Sequence, residues 1–202
     1  MGRASKNMKI YLVRHGETGW NKEGRLQGRK DISLNQHGIA QMEDIGKWFC
    51  DTNVPFDEII ISPLRRAVES AAIIAEIVGF KKEAIVQESL MLERSFGDAE
   101  GLLWQERLES GLTDEELGME TVDEVCNRAR DCITKIMDHY KGKNILIVAH
   151  GAILKAMLVA LTNGDIPYES DKVKLAQGMI TIVDYKCGSV QVEEKKINQT
   201  VK

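Results

Sequence analysis

Residues 9–21 read KIYLVRHGETGWN. Ile10, Tyr11, Leu12 and Val13 make an apolar run of branched and aromatic side chains, too short for a helix and closed by Gly16, which predicts a buried strand. Arg14 and His15 follow at once. They then stand at the carboxyl end of a strand, where open α/β sheets place their ligands. Gly16 allows a sharp turn there, and Thr18 and Asn21 add short polar groups to the loop. A second stretch repeats the plan: ILIVAHGAILKA at 145–156 is an apolar strand, then His150 and Gly151, then a helix.

Working outward, strands and helices alternate. Asn35 can cap a helix running to about Cys50, with Ile39, Met42, Ile45, Trp48 and Phe49 inward. Residues 56–61 read as a second strand. Ser62 and Pro63 look like a hydroxyl cap and first-position proline of a helix that buries Val68, Ala71, Ala72, Ala75 and Val78 and ends at Gly79. Residues 84–87 are a third short strand. Thr121 and Glu124 form a capping box, and the helix behind it buries Val122, Val125, Ala129, Ile133, Ile136 and Met137. Residues 144–149 are apolar without alternation, as expected of a strand covered on both faces, and the next helix runs to about Leu161. Residues 179–185 and 190–194 predict a closing hairpin around Cys187, Gly188 and Ser189. This alternation predicts an α/β fold, a three-layer α/β/α sandwich whose mostly parallel sheet carries an antiparallel edge hairpin. Residues 1–8 read as a flexible N-terminal tail and 9–202 as a single domain. The polar stretch 22–31 is an exposed loop. Residues 91–118, glycine-spotted and weakly helical, form a lid-like excursion over the active-site edge.

A chain of 202 residues suits one such domain. Its net charge of −4 gives no reason to expect nucleic acid or an anionic membrane as partner, so an anionic substrate must be drawn by a local basic cluster. Of the four cysteines, only Cys126 and Cys132 are close in sequence, at a spacing that suits neither a C-x-x-C redox site nor a zinc knuckle, so a reduced, cytoplasmic setting is expected. No apolar run approaches a membrane span, and MGRASKN lacks the apolar core of a signal peptide. There is no P-loop and no G-x-G-x-x-G, and no cysteine has an arginine six residues on. His15, His37, His139 and His150 show no metal-site spacing, so neither a metal nor another cofactor is expected.

The residues at the strand ends suit a tetrahedral anion. SPLRRA at 62–67 places Arg65 and Arg66 in the first turn of a helix, and Arg14 with one of this pair can give paired N–H donors to phosphate oxygens. His150 and Gly151 stand at a helix N-terminus, which favours anions. Cations around His15 disfavour a further proton, leaving a neutral imidazole able to attack phosphorus. LERSFGDAEG at 92–101 offers Glu93 as a proton donor for a leaving alkoxide. Taken singly, each has a plainer reading: a surface helix charge, an exposed loop acid, a core histidine.

Together and in this order, the four stretches resemble the histidine phosphatase superfamily, the phosphoglycerate mutase-like proteins, from Ile10 to about Ala156. The resemblance implies that His15 becomes a phosphohistidine and that Glu93, ahead of the FGDxEG run, is the general acid. It implies that Arg14, Asn21, Gln27, Gly28, Arg66 (the arginine directly before Ala67), His150 and Gly151 hold the phosphate without a metal. Ala99 stands where the family commonly has an aromatic residue, which would widen the pocket wall. Ala152 stands where the glycolytic mutases typically carry a polar residue, and the segment between Gly101 and Thr121 is short. The expectation is therefore a phosphomonoesterase acting on small phosphorylated metabolites, ahead of a phosphoglycerate mutase, a narrow α-ribazole phosphatase or a non-catalytic phospho-ligand binding protein. Oligomeric state stays open, a homodimer included.

Overall fold

The computed structural model describes residues 8–186 and 189–197. Residues 1–7 of the expected tail lie outside these, and its last member, Met8, instead opens the first strand. Among the described residues six strands form one sheet: β1 (Met8–Arg14), β2 (Glu58–Ile61), β3 (Val86–Gln87), β4 (Ile145–Ala149), β5 (Met179–Lys186) and β6 (Ser189–Lys196), in the order β3-β2-β4-β1-β5-β6. β1 to β4 run parallel, β5 is antiparallel to β1, and β6 is antiparallel to β5. The expected sandwich with its antiparallel edge is thus the observed architecture. Cys187 and Gly188, the expected hairpin turn, lie outside the described residues, and Ser189 already belongs to β6.

The central strands have no polar face because both faces are covered. Ile10, Leu12, Ile145, Ile147 and Ala149 pack towards α5 (Val122–His139) and α6 (Gly151–Leu161). Tyr11, Val13, Leu146 and Val148 point the other way, to α2 (Gln36–Asp51) and α3 (Arg65–Val78). The period-two alternation of a strand therefore feeds two cores instead of one core and solvent. Register does the rest. Arg14 of β1 lies opposite Ala149 of β4, so the next residues, His15 and His150, leave the sheet side by side.

The caps at Asn35 and Thr121 form as expected: the side chain of Asn35 accepts from Gly38 N–H at 2.8 Å, and Thr121 and Glu124 complete their box. Three local expectations change. Thr18 and Asn21 make the capping box of a short helix, α1 (Gly19–Glu23), where a plain loop was expected. The helix after β2 starts at Arg65, not at Ser62, and Leu64 at its cap position makes no side-chain bond. Its inward face is Arg66, Ala67, Ser70, Ala71, Ile74 and Ala75, with Val68, Ala72 and Val78 only half-buried. The third strand is two residues long, since Lys82–Ala84 turn as a short 3₁₀ segment. The 91–118 excursion includes α4 (Trp104–Glu109) and has a small core of its own, Ala99, Leu117 and Met119 against Leu26, Phe96 and Leu102.

Candidate active site

The β1–β4 ladder continues one residue past the strands: the His15 N–H donates to the Ala149 carbonyl at 2.9 Å. His15 Nδ1 lies 2.7 Å from the Gly16 carbonyl. A carbonyl can only accept, so Nδ1 carries the proton and Nε2 keeps its lone pair. The ring is buried, only 2% exposed, although it follows a strand end. Burial, then the charges of Arg66 and Arg14, hold its pKa well below that of an ordinary histidine, against a smaller pull from the Gly16 carbonyl. Gly16 itself is dictated by close approach, because a Cβ there would strike the backbone of Gly38.

Arg14 has a buried Nε with no hydrogen-bond partner. Its guanidinium lies against Gly151, where a Cβ would come within 3.3 Å of Cζ. Burial lowers the Arg14 pKa, and the charge of Glu93 opposes that. An unpaired buried donor on a cation is costly, and an anionic ligand is what would satisfy it.

Arg66 is completely buried on the first turn of α3. Its Nη2 donates to the Gly28 carbonyl at 2.7 Å and its Nη1 to the Lys30 carbonyl at 2.8 Å. Its Nε–H is shared between His15 Nε2 at 3.2 Å and His150 Nδ1 at 3.1 Å. Burial pushes its pKa down to about 10, so it remains a cation at neutral pH. Arg65, its neighbour, is exposed and pairs with Glu69 at 2.7 Å. Helical phase thus turns Arg66 inward, the arginine that the motif before Ala67 pointed to, and Arg65 outward.

His150 accepts from Arg66 on Nδ1, and its Nε2 is 2.6 Å from Ser62 Oγ. Burial, followed by the Arg66 charge, lowers its pKa as well. In this arrangement both ring nitrogens are engaged, and the ring stands behind Arg66 instead of on the cavity wall. Ser62, expected as a helix cap, is here the partner of a site histidine. A run of hydroxyl then proline gives a cap and an inward-turned serine the same signature.

Gly28 has φ +49, and a Cβ there would run into the carboxylate of Glu100. That carboxylate accepts the N–H groups of Arg29 at 2.8 Å and Lys30 at 3.0 Å, so it holds the corner whose carbonyls anchor Arg66. Within the FGDxEG run nothing local assigns Glu100 a role. Its signal was a carboxylate spaced from a glycine corner by more than seventy residues, which only contact reveals.

Glu93 is 8% exposed, with both oxygens on the first turn of α6: Oε1 accepts from Ile153 N–H at 3.1 Å and Oε2 from Ala152 N–H at 3.2 Å. Oε1 also accepts from Arg94 N–H at 2.9 Å. Oε2, with one donor, is the oxygen with capacity left for a proton.

These groups surround a cavity of about 200 Å³. Arg14, His15, Asn21, Gln27, Gly28, Arg66, Glu93 and Gly151 wall it, and His150 alone of the expected residues does not. Arg25, Leu26, Phe96 and Ala152 complete it. Gln27 donates from Nε2 to Thr18 Oγ1 at 2.6 Å and leaves Oε1 buried without a partner. Asn21 Oδ1 is taken up by Thr18 and by Gln177 at 2.8 Å, which leaves its NH₂ group to donate. Ala99 does not widen this wall: it is fully buried in the excursion's core, and Phe96 supplies the aromatic surface. A larger groove of about 420 Å³ lies between α5 and α6, lined by Cys126, Ile133, Ala156 and their neighbours. Its size is not matched by chemistry, since the buried cations and their unpaired donor lie at the smaller cavity.

The profile of the histidine phosphatase superfamily (branch 1) matches residues 10–198. The uncharacterized phosphatase PhoE of Bacillus subtilis (strain 168) is 34% identical over 189 residues, covering 94% of this chain and 94% of that protein. The metal-independent phosphoserine phosphatase of Arabidopsis thaliana is 32% identical, over 89% of this chain and 77% of that one. Among solved structures, a mutant phosphoserine phosphatase from Entamoeba histolytica in complex with phosphoserine superposes with a TM-score of 0.77 at 26% identity, covering 96% of this chain and all of that one.

Proposed function

This chain belongs to the histidine phosphatase superfamily and is a phosphatase of it, and from that premise we propose a hydrolase of small phosphomonoesters that works through a phosphohistidine on His15, with Glu93 as general acid and no metal. The observation that carries the reading is the setting of His15: a buried ring whose Nδ1 lies against the Gly16 carbonyl, so that Nε2 is the nitrogen with the lone pair, on which the Arg66 Nε–H donates, and beside which two buried cations disfavour a further proton.

In the first step Nε2 attacks phosphorus and the bond to the ester oxygen breaks. Glu93 gives that oxygen its proton, and the alcohol leaves. In the second step water attacks the phosphohistidine, Glu93 takes its proton, the P–N bond breaks, and orthophosphate is released with His15 neutral again. Charge developing on the phosphoryl oxygens meets Arg14 Nε, Arg66, the Asn21 amide and the N-terminus of α6 at Gly151. Ser62 can donate as well as accept, so His150 can exchange its Nε2–H form for one that turns Nδ1–H towards an oxygen seated beside Arg66. Fixed cations in these positions provide the charge that a metal otherwise would.

Rapid quench with ³²P-labelled substrate tests the reading. An acid-labile, alkali-stable phosphoprotein is expected from the wild type and none from His15→Ala; an adduct that persists in His15→Ala removes His15 as the nucleophile. A panel of phosphorylated metabolites then defines the substrate, with phosphoserine first because the Arabidopsis and Entamoeba relatives are phosphoserine phosphatases. Ala152 on the cavity wall, where a mutase typically has a polar residue, argues for hydrolysis over mutase chemistry.

A further inference from the structure

Glu93 sits in no regular element. It lies between two 3₁₀ turns, Ser89–Met91 and Gly97–Ala99, so no strand or helix ladder satisfies its backbone. Arg128, on the middle of α5, takes over that task. Its Nη1 donates to the carbonyls of Leu90 and Leu92, both at 2.7 Å, and its Nη2 reaches the carbonyl of Glu93 at 3.5 Å. The other edge of the same guanidinium grips Glu120, Nε to Oε1 at 2.9 Å and Nη2 to Oε2 at 2.8 Å. Glu120 in turn accepts the Ser95 N–H at 3.1 Å, and Arg29 Nε donates to the Glu93 carbonyl at 3.2 Å. The pair is nearly buried, with side chains 15% and 12% exposed. A planar fork that spans several backbone carbonyls and a carboxylate at once is something only arginine can form.

We infer that Arg128, locked by Glu120, is the positioning residue that aims the Glu93 carboxyl at the leaving-group oxygen. This rests on the reading of Glu93 as the acid. Arg128 is not itself among the residues that line the cavity, and of those residues it meets only the backbone carbonyl of Glu93, so its removal should harm proton delivery and leave the phosphate seat intact. A bystander that merely staples the excursion to α5 would harm both.

The test is the double variant Arg128→Met with Glu120→Gln, which leaves no buried carboxylate without a partner. For an alkyl phosphate such as glycerol phosphate, kcat/KM should fall by up to about 100-fold, the cost of a catalytic group displaced by about an ångström. For p-nitrophenyl phosphate, whose phenolate needs little protonation, the fall should be several times smaller, and competitive inhibition by inorganic phosphate should be unchanged. In a Glu93→Gln background the same pair should add nothing to the alkyl-ester loss, since the positioned group is already disabled. Arg128→Lys, which keeps the charge but cannot span both sets of acceptors, should give the same pattern in weaker form and serves if the double variant does not fold. Equal losses for both esters, weakened phosphate inhibition, or losses that add to those of Glu93→Gln would each overturn the assignment. If Glu93→Gln by itself loses both esters equally, the acid reading fails first, and that outcome is visible without any change at Arg128.

Discussion

His15 and Glu93 reach the same cavity by different means. His15 is the next rung of the β1–β4 ladder, and the strand register that brings it beside His150 is the one that buries the apolar centre of the sheet. Moving it means unzipping that sheet. Near Glu93 the backbone is held by side chains, Arg128 and Arg29 on its carbonyls and the Glu120 carboxylate on the Ser95 N–H, while backbone bonds such as Gly101 N–H to Leu26 and Asp98 N–H to Leu117 tie the rest of the excursion. Backbone ladders add cooperatively and are hard to shift, whereas a segment held by side-chain bonds can be re-aimed by one substitution. His15 is therefore the rigidly placed group of the site, whereas Glu93, and the Gly28 corner that the Glu100 carboxylate holds, are placed through side chains that sequence change can retune.

The contrast can be broken most strongly at His15. His15→Ala should reduce turnover on the order of 10⁶-fold, the scale of losing a covalent nucleophile, and should do so equally for every ester. A residual rate that varied with the leaving group would show that another group attacks phosphorus. At the second pole, Glu93→Gln should lower kcat/KM for an alkyl phosphate by about 10²–10⁴-fold and for p-nitrophenyl phosphate much less. A uniform loss would make Glu93 a structural cap of α6.

A smaller effect is expected at the Gly28 corner. Gly28→Ala should destabilise the fold by about 1–3 kcal/mol, because the corner needs φ +49 and the new methyl group meets Glu100. Thermal melts with and without phosphate would show it, and phosphate inhibition should weaken too, since Arg66 is anchored on the Gly28 carbonyl. Unchanged phosphate inhibition would separate the corner from the seat.

The mildest effect is on pH. His15 and His150 are buried with pKa values below the ordinary 6.5, so the folded state binds fewer protons than the unfolded one. Their contribution to stability is complete above about 6.5 and is lost as the pH falls towards the folded values, with a limiting slope of about 1.4 kcal/mol per pH unit for each ring. Melting temperature should fall from about pH 7 to about pH 5, and less steeply in His15→Asn. A wild type and variant with the same slope would mean that His15 is not held neutral by the fold.

How much of this was legible depends on the range of the signal. The strand ends at His15 and His150, the caps at Asn35 and Thr121 and the two-sided apolar strands follow from neighbours a few residues away, and they were read correctly. At Ser62 the local signal points to a cap, because a cap and an inward hydroxyl look alike until the partner histidine is in place. Glu100, Glu120 and Arg128 were not singled out at all. Each is a charge on a polar stretch, and nothing local marks which charges turn inward to hold a backbone.

The amino-acid sequence alone determined the order of elements, the covering of the sheet on both faces and the kinds of group gathered at its edge, because periodicity, capping and strand patterning are short-range properties of the chain. Tertiary structure decided that the Arg66 guanidinium reaches both His15 Nε2 and His150 Nδ1, that Ser62 turns inward to His150, and what holds Glu93 in place. Those outcomes rest on hydrogen bonds between residues 51, 84 and 88 positions apart at the phosphate seat and about 35 apart at the acid. The direction of such a bond is set by where the partner's lone pair or proton ends up after the sheet has closed, and no propensity of the local chain encodes that position.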